Sequence, residues 1–216
     1  MAIITRLYKT TVRSKKVRVY LDDRYAFSLP FETASRLALQ QELSPEQVGA
    51  LTRAGERQTC LASAQRFLSN RPHSEQELRQ KLLRRGFKED DISGILTKLK
   101  QAGLVNDALF AAFWAENREA FKPRGKRLTA GELRQKGVAP EVISRVVEPM
   151  DESEGAYRAA RLKAAHLASA ERDTFRRKLG DYLLRRGFGY DIIRQTVDRL
   201  WREKEAINSG DEPSSQ

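Results

Sequence analysis

The hexapeptide LLRRGF occurs twice in this chain, at residues 82–87 and 183–188, and a looser version, ELRQKGV, stands between them at residues 132–138. Gly86, Gly137 and Gly187 are 51 and 50 residues apart. A fixed period of that length is the mark of a repeat architecture, in which each unit is one small supersecondary structure. Aligning the chain on the three glycines brings further columns into register. Leu82, Leu133 and Leu183 precede the glycine by four positions, and Arg85, Lys136 and Arg186 by one. Phe87, Val138 and Phe188 follow directly. Ile92, Ile143 and Ile193 come next, then Leu96, Val147 and Val197, then Leu99, Met150 and Leu200.

Each column has a physical reason. Glycine just past a helical run takes the left-handed position that ends a helix, and the apolar residue after it packs back on the last turn. A cation one position earlier meets the negative end of the helix dipole, worth roughly 0.3–1 kcal/mol at an exposed site. Apolar residues at helical spacing then build the next helix. Each unit is expected to hold three helices: 58–68, 75–85 and 89–101 in the first, 107–120, 127–136 and 140–147 in the second, 154–166, 172–186 and 190–204 in the third. Ser74 with Glu77, and Asn106 with Asp107, mark helix starts. Gly131 and Gly180 fall inside predicted helices, where glycine costs on the order of 1 kcal/mol relative to alanine. Such helices need their neighbours, as side-by-side repeats provide.

The first fifty residues read differently. In VRVYLDDRYAFSL, Val17, Val19 and Leu21 alternate on one face, as do Tyr25, Phe27 and Leu29, with Asp22-Asp23 as the turn. That pattern predicts a β-hairpin, with a further strand from Ile3, Ile4 and Leu7. A helical stretch is expected over 31–43, and Ser44-Pro45-Glu46-Gln47 opens another helix. The reading is mainly α: three tandem three-helix repeats forming an elongated array, with a small N-terminal β-hairpin extension. Its expected divisions are 1–55 (hairpin plus helix), 56–105, 106–150 and 151–206 (the repeats), and 207–216 (a disordered polar tail).

Composition narrows the function. Forty Lys and Arg against 29 Asp and Glu give a formal net charge of +11, which favours a polyanionic partner. Cys60 is the single cysteine, so neither an intrachain disulfide nor a cysteine-based zinc site can form, and a reducing, cytoplasmic setting is expected. No apolar run approaches a membrane span. Phosphate-loop, nucleophile-elbow and zinc-protease signatures are absent. His73 and His166 fall in different units, His73 as a loop residue and His166 on a helix surface. An enzyme is therefore not expected, nor a metal or cofactor.

The basic clusters say more. Between Arg118 and Lys136 lie Arg118, Lys122, Arg124, Lys126, Arg127, Arg134 and Lys136, against only Glu119 and Glu132. Residues 172–186 carry Arg172, Arg176, Arg177, Lys178, Arg185 and Arg186, against Asp173 and Asp181. Helix-end capping explains one cation per terminus and leaves KPRGKR (122–127) unexplained. Taken together, the clusters point to phosphates or a carboxylate-rich surface, both of which suit the arginine fork. Phe110, Phe113 and Trp114 could form a base-stacking platform, but their helical spacing reads first as core, and Tyr190 and Trp201 read as packing residues.

Four segments in order then carry a resemblance: RPHSEQELRQKLLRRGF (71–87), GLVNDALFAAFWAENR (103–118), KPRGKRLTAGELRQKGV (122–138) and KLGDYLLRRGFGYDII (178–193). With the helices between them they resemble the RecX family, regulators of the RecA recombinase, from about residue 56 to 201. The chain departs from the family pattern at Thr129-Ala130-Gly131 and at His73. The resemblance implies three tandem three-helix repeats and a non-enzymatic monomer. It implies binding in the groove of the RecA filament on single-stranded DNA, with modulation, usually inhibition, of filament growth, ATPase, strand exchange and coprotease activity. Homologous recombination, DNA repair and the SOS response are the implied setting. The contact residues expected are Arg118, Lys122, Arg124, Lys126, Arg127, Arg134 and Lys136 from the second repeat, with Arg176, Arg177, Lys178, Arg185 and Arg186 from the third. Direct contact with DNA phosphates is left open. The alternative is a stand-alone nucleic-acid-binding helical module.

Overall fold

The computed structural model describes residues 1–9 and 16–208. It divides into two compact units, Met1–Val105 and Asn106–Gln216.

The first unit opens with β1 (Ala2–Lys9), β2 (Lys16–Leu21) and β3 (Arg24–Pro30), followed by a single helical turn, α1 (Phe31–Ala34), and the short β4 (Glu42–Leu43). The sheet is antiparallel in the order β3-β2-β1-β4. Ile4, Val17, Val19, Leu21, Phe27 and Leu29 form its buried face, as the alternation predicts. Tyr25 does not join them. A register shift opposite Val19 and Tyr20 pairs Tyr25 with Tyr20 and turns it outward, where it is 57% exposed. The helix expected over 31–43 shrinks to one turn because the edge of β1 needs partners. Ile4 N–H donates to Gln41 O (3.0 Å) and Gln40 N–H to Ile4 O (2.8 Å), while β4 pairs with Ala2 and Ile3.

A second correction concerns α2 (Pro45–Leu68), a single 24-residue helix where two were expected. It starts where predicted, with Ser44 Oγ accepting from Gln47 N–H (3.2 Å) and Gln47 Oε1 accepting from Ser44 N–H (2.8 Å). Gly55 does not interrupt it. A Cβ there would lie 2.3 Å from Ser28 O, so the glycine lets the helix backbone settle on β3. The first half of α2 covers the sheet through Val48 and Leu51. Its second half contributes Cys60 and Ala64 to a core shared with α3 (Glu75–Leu83) and α4 (Glu89–Gln101).

The second unit contains α5 (Asp107–Phe121), α6 (Lys126–Gln135), α7 (Pro140–Val147), α8 (Glu152–Ala165), α9 (Arg172–Arg185) and α10 (Tyr190–Asn208). Asn106 caps α5 by accepting from Ala108 and Leu109 N–H, and Asp151 caps α8 in the same way. One core gathers Phe110, Ala111, Leu133, Val138 and Ile143; another is built on Phe175, Leu179, Leu183, Phe188, Val197 and Leu200. α10 extends through Ile207 and Asn208, into the predicted tail. Residues 209–216, where disorder was expected, lie outside the described residues. Tyr190, expected to pack, is 78% exposed.

The repeat is realised at its hinge. Gly86, Gly137 and Gly187 have φ of +82°, +78° and +82°. In each case the amide after the glycine returns to the carbonyl of the column leucine: Phe87 to Leu82 (3.4 Å), Val138 to Leu133 (3.1 Å) and Phe188 to Leu183 (3.3 Å). This is the six-to-one closure of a left-handed helix cap. Leu82, Leu133 and Leu183 are fully buried.

Candidate partner-binding surface

All twelve basic residues singled out from the sequence fall in the second unit, on α5, α6, α9 and the loops beside them. Their surroundings split them into structural and available cations.

The structural group converges on Glu132 of α6. Its Oε2 accepts from Trp114 Nε1–H and from Arg118 Nε–H, each at 2.7 Å, and its Oε1 accepts from Arg124 Nη1. The guanidinium of Arg118 lies over the Trp114 ring (4.7 Å), as does the ammonium of Lys136 (4.3 Å). A carboxylate and an indole thus gather three of the predicted contact residues into a partly buried knot that ties α5 to α6. Trp114 itself packs on buried Phe110 (5.8 Å), which supports the core reading of these two aromatics over a stacking platform. Lys126 is also engaged: its Nζ donates to Glu148 O (2.7 Å) and its amide to Glu152 Oε1 (2.8 Å).

The hinge cations show a related pattern. Arg85 lies over Phe67 (4.5 Å), Lys136 over Trp114 and Arg186 over Tyr182 (4.6 Å). Each residue before the glycine therefore holds an aromatic ring as well as facing a helix C-terminus.

The loop KPRGKR finds its explanation here. Gly125 N–H donates to Arg186 O (2.9 Å), and Arg186 Nη1 donates to Pro123 O (3.2 Å). A Cβ on Gly125 would lie 2.1 Å from Gly187 O, so only glycine lets the loop rest on the third hinge. The sequence reading missed Gly125, Glu132 and Tyr182. A glycine flanked by cations in a loop carries no signal of its own until its neighbour is known.

Where the loop meets α9, a cleft of about 430 Å³ is lined by Lys122, Arg124, Tyr182, Arg185 and Arg186. Lys122 and Arg185 are exposed and make no ion pair among the described residues, and the same holds for Arg127, Arg134, Arg177 and Lys178. Arg176 approaches Asp198 at 3.7 Å. Four cations stand around one tyrosine, Arg124 already paired with Glu132 and Arg186 bonded to Pro123 O; guanidinium forks of this kind match phosphate or carboxylate oxygens.

The titratable groups with displaced protonation equilibria lie in the first unit. Burial pushes the Cys60 thiol up to about 11, helped by the nearby Asp91 carboxylate, which leaves it an unreactive core residue. His73 lies in the loop before α3, as expected, and is only 2% exposed. The Lys81 ammonium can only donate, so His73 Nε2 accepts from it (2.9 Å) and Nδ1–H donates to Arg71 O (2.9 Å). Burial lowers the His73 pKa, and the neighbouring Arg71 and Lys81 charges lower it further. Hydrogen bonding from Lys100 holds Glu75 below the ordinary glutamate value, with Arg79 adding to it. Among the described residues no cluster of His, Cys, Asp and Glu could hold a metal ion, and no helix is long and apolar enough to cross a membrane.

Comparison with known proteins gives three consecutive matches to one family. The models of the first, second and third three-helix domains of RecX match residues 60–99, 106–147 and 151–197. A regulatory protein RecX of Clostridium botulinum is 30% identical over 215 residues, covering 96% of this chain and 98% of that protein. A regulatory protein RecX of Chlorobium limicola is 35% identical over 141 residues, 65% of this chain and 89% of the relative. The crystal structure of a regulatory protein RecX superposes with a TM-score of 0.66 at 22% identity, covering 92% of this chain and all of the other. That of RecX from Lactobacillus salivarius gives 0.59 at 23% identity over 68% of this chain and 97% of the other, a likeness of fold. With three repeat domains matched in order and a full-length relative at this identity, the chain belongs to the RecX family.

Proposed function

We propose that this chain is a non-enzymatic regulator, and specifically an inhibitor, of the RecA recombinase. It binds in the groove of the RecA filament on single-stranded DNA and limits filament growth, ATPase, recombination and coprotease activity. The observation that carries this reading is the family membership joined to the cations of the second unit. Of these, Lys122, Arg127, Arg134, Arg177, Lys178 and Arg185 are exposed and make no ion pair among the described residues, while Arg124 and Arg176 pair with Glu132 and Asp198. The cleft of Lys122, Arg124, Arg185 and Arg186, with Arg127, Arg134, Arg176, Arg177 and Lys178 around it, is offered as the contact surface. Arg118, Lys126 and Lys136 belong to it as supports, because their hydrogen-bond and ring partners lie within the fold. Repeats bounded at 56–105, 106–150 and 151–206 are the units of this reading, and the protein acts as a cytoplasmic monomer without cofactor.

The test is a titration of preformed RecA filaments on single-stranded DNA, followed by ATPase rate. Inhibition near stoichiometric protein, relieved by added salt, is expected. An unchanged rate at stoichiometric protein ends the recombinase reading. A gel shift on free DNA with and without recombinase separates it from a stand-alone nucleic-acid-binding module, which would bind as tightly without the recombinase.

A further inference from the structure

The sheet of the first unit has a second face, which the reading above does not use. Along β1 the outward residues are Arg6 and Tyr8; along β2 they are Arg18 and Tyr20. Tyr8 is the cross-strand partner of Arg18, and Arg6 that of Tyr20. The register shift in β3 brings Tyr25 opposite Tyr20, extending the second row to Arg6–Tyr20–Tyr25. Tyrosine and arginine therefore alternate across β1 and β2, and β3 completes the two rows with Tyr25 beside Tyr20 and Ser28 beside Arg18. The Arg6 guanidinium lies over the Tyr20 ring (5.4 Å), and Tyr20 and Tyr25 meet edge to face (6.0 Å). Tyr8 is 46% exposed and Tyr25 57%.

Charge gives the face its direction. β1, β2 and β3 contain five Lys and Arg and no Asp or Glu. Among the described residues neither Arg6 nor Arg18 has an ion-pair partner. Cross-strand pairing stabilises a solvated sheet face through opposite charges, β-branched residues or paired aromatics; Tyr20–Tyr25 is such a pair, whereas exposed Tyr8 opposite Arg18 is none of these. Nor does the face offer the aliphatic surface on which another protein's core would close. Rings open to solvent with cations between them fit a ligand that has flat π faces joined by anions. Double-stranded nucleic acid hides its base faces, whereas a single strand presents them.

We infer that the outer face of this sheet is a binding platform for single-stranded DNA, with bases stacked on Tyr8 and Tyr25 and phosphates held by Arg6 and Arg18. The choice of DNA over RNA rests on the filament reading above; the stacking and charge argument does not. Under this assignment the tyrosine turned out by the register shift is a working part of the surface.

The experiment uses the full chain without recombinase and a labelled thymidine homopolymer of about 15 nucleotides, with fluorescence anisotropy as readout and circular dichroism to verify the fold. Combined Tyr8→Ala and Tyr25→Ala should weaken binding about tenfold or more. Combined Tyr8→Phe and Tyr25→Phe should retain it, because the ring and not the hydroxyl does the stacking. Arg6→Gln and Arg18→Gln should each reduce the salt slope by about 0.7. Parallel arms use the duplex, uridine homopolymer and polyphosphate, each expected to bind more weakly than the thymidine strand. Affinity within twofold of the parent in the alanine variant overturns the platform, as does equal or tighter binding of duplex or polyphosphate. Uridine homopolymer bound more tightly than thymidine overturns the assignment to DNA. Should the paired alanine variant lose its fold, the single Tyr8→Ala variant carries the same test. A separate ATPase assay on filaments reports on the recombinase reading: loss of inhibition with oligonucleotide binding intact, or the reverse, identifies which of the two proposals fails.

Discussion

At the scale of single residues, two glycines six positions apart have opposite meanings. Gly125 has a backbone carbonyl 2.1 Å from where its Cβ would stand, whereas a Cβ on Gly131, inside α6, meets nothing within 4 Å. Gly125→Ala should therefore destabilise by about 2 kcal/mol or more, since backbone must move to admit the methyl group. Gly131→Ala should stabilise by about 1 kcal/mol through helix propensity alone. Urea denaturation of the two variants checks both signs at once; a shared sign would contradict the packing described. His73 supports a pH prediction. Its pKa is lowered in the folded protein, so below about pH 6.5 the unfolded chain binds the proton that the folded chain refuses. Stability should rise with pH up to that value and level off above it, with a slope of at most about 1.4 kcal/mol per pH unit from this group. His73→Gln removes that contribution, so its stability at pH 5 and pH 7 should differ less than the parent's. Glu75, held low by Lys100 and Arg79, adds a loss of the same direction at more acidic pH.

At the scale of elements, the middle helix of each repeat carries Leu78, Thr129 or Leu179 eight positions before the hinge glycine, and all three are fully buried. The Thr129 hydroxyl has no hydrogen-bond partner among the described residues, so α6 buries a polar group where its counterparts bury methyl groups. Thr129→Val keeps the shape and removes the unpaired hydroxyl; a gain of roughly 1 kcal/mol is expected in thermal or urea unfolding. A loss would mean that the hydroxyl has a water partner. This column also shows what kind of information the sequence holds. The helices were legible because their signals are local: the glycine hinges, the Ser44 and Asn106 caps and the apolar spacing each act within a few residues. The errors arise where a distant segment decides. Two helices were expected where α2 runs unbroken, because β3, on which Gly55 lets the helix settle, is not visible from its sequence neighbours. The stretch after Ala34 looked helical because the open edge of β1 that captures it is distant in the chain, Ile4 bonding to Gln40 and Gln41. Tyr25 looked inward because a register shift is a property of two strands together. The basic residues were legible as a cluster, but their division into supports and free cations depends on Glu132 and Trp114, which no spacing rule connects to Arg124.

At the scale of the whole molecule, that division turns a net charge of +11 into a prediction about mechanism. If total charge alone drove association with a filament, removing any one cation would weaken binding to a similar extent. The surroundings argue otherwise. Arg118 has its guanidinium on Glu132 and over Trp114, and its charge is largely answered inside the fold. Lys122 and Arg185 line the cleft with exposed side chains and no ion pair among the described residues. Removing the latter two should spare the fold and remove charge-assisted contacts to the partner. Paired Lys122→Gln and Arg185→Gln should thus raise the concentration needed to inhibit filament ATPase on the order of tenfold, with urea stability unchanged. Arg118→Gln should do the reverse, costing about 1–2 kcal/mol of stability by leaving the Trp114–Glu132 pair without its guanidinium, with a smaller effect on inhibition per folded molecule. Measuring both quantities on both variants separates a shaped cationic site from a diffuse one. Equal losses of inhibition in the two would assign the interaction to net charge, and the cleft would then be a by-product of how the loop rests on the third hinge.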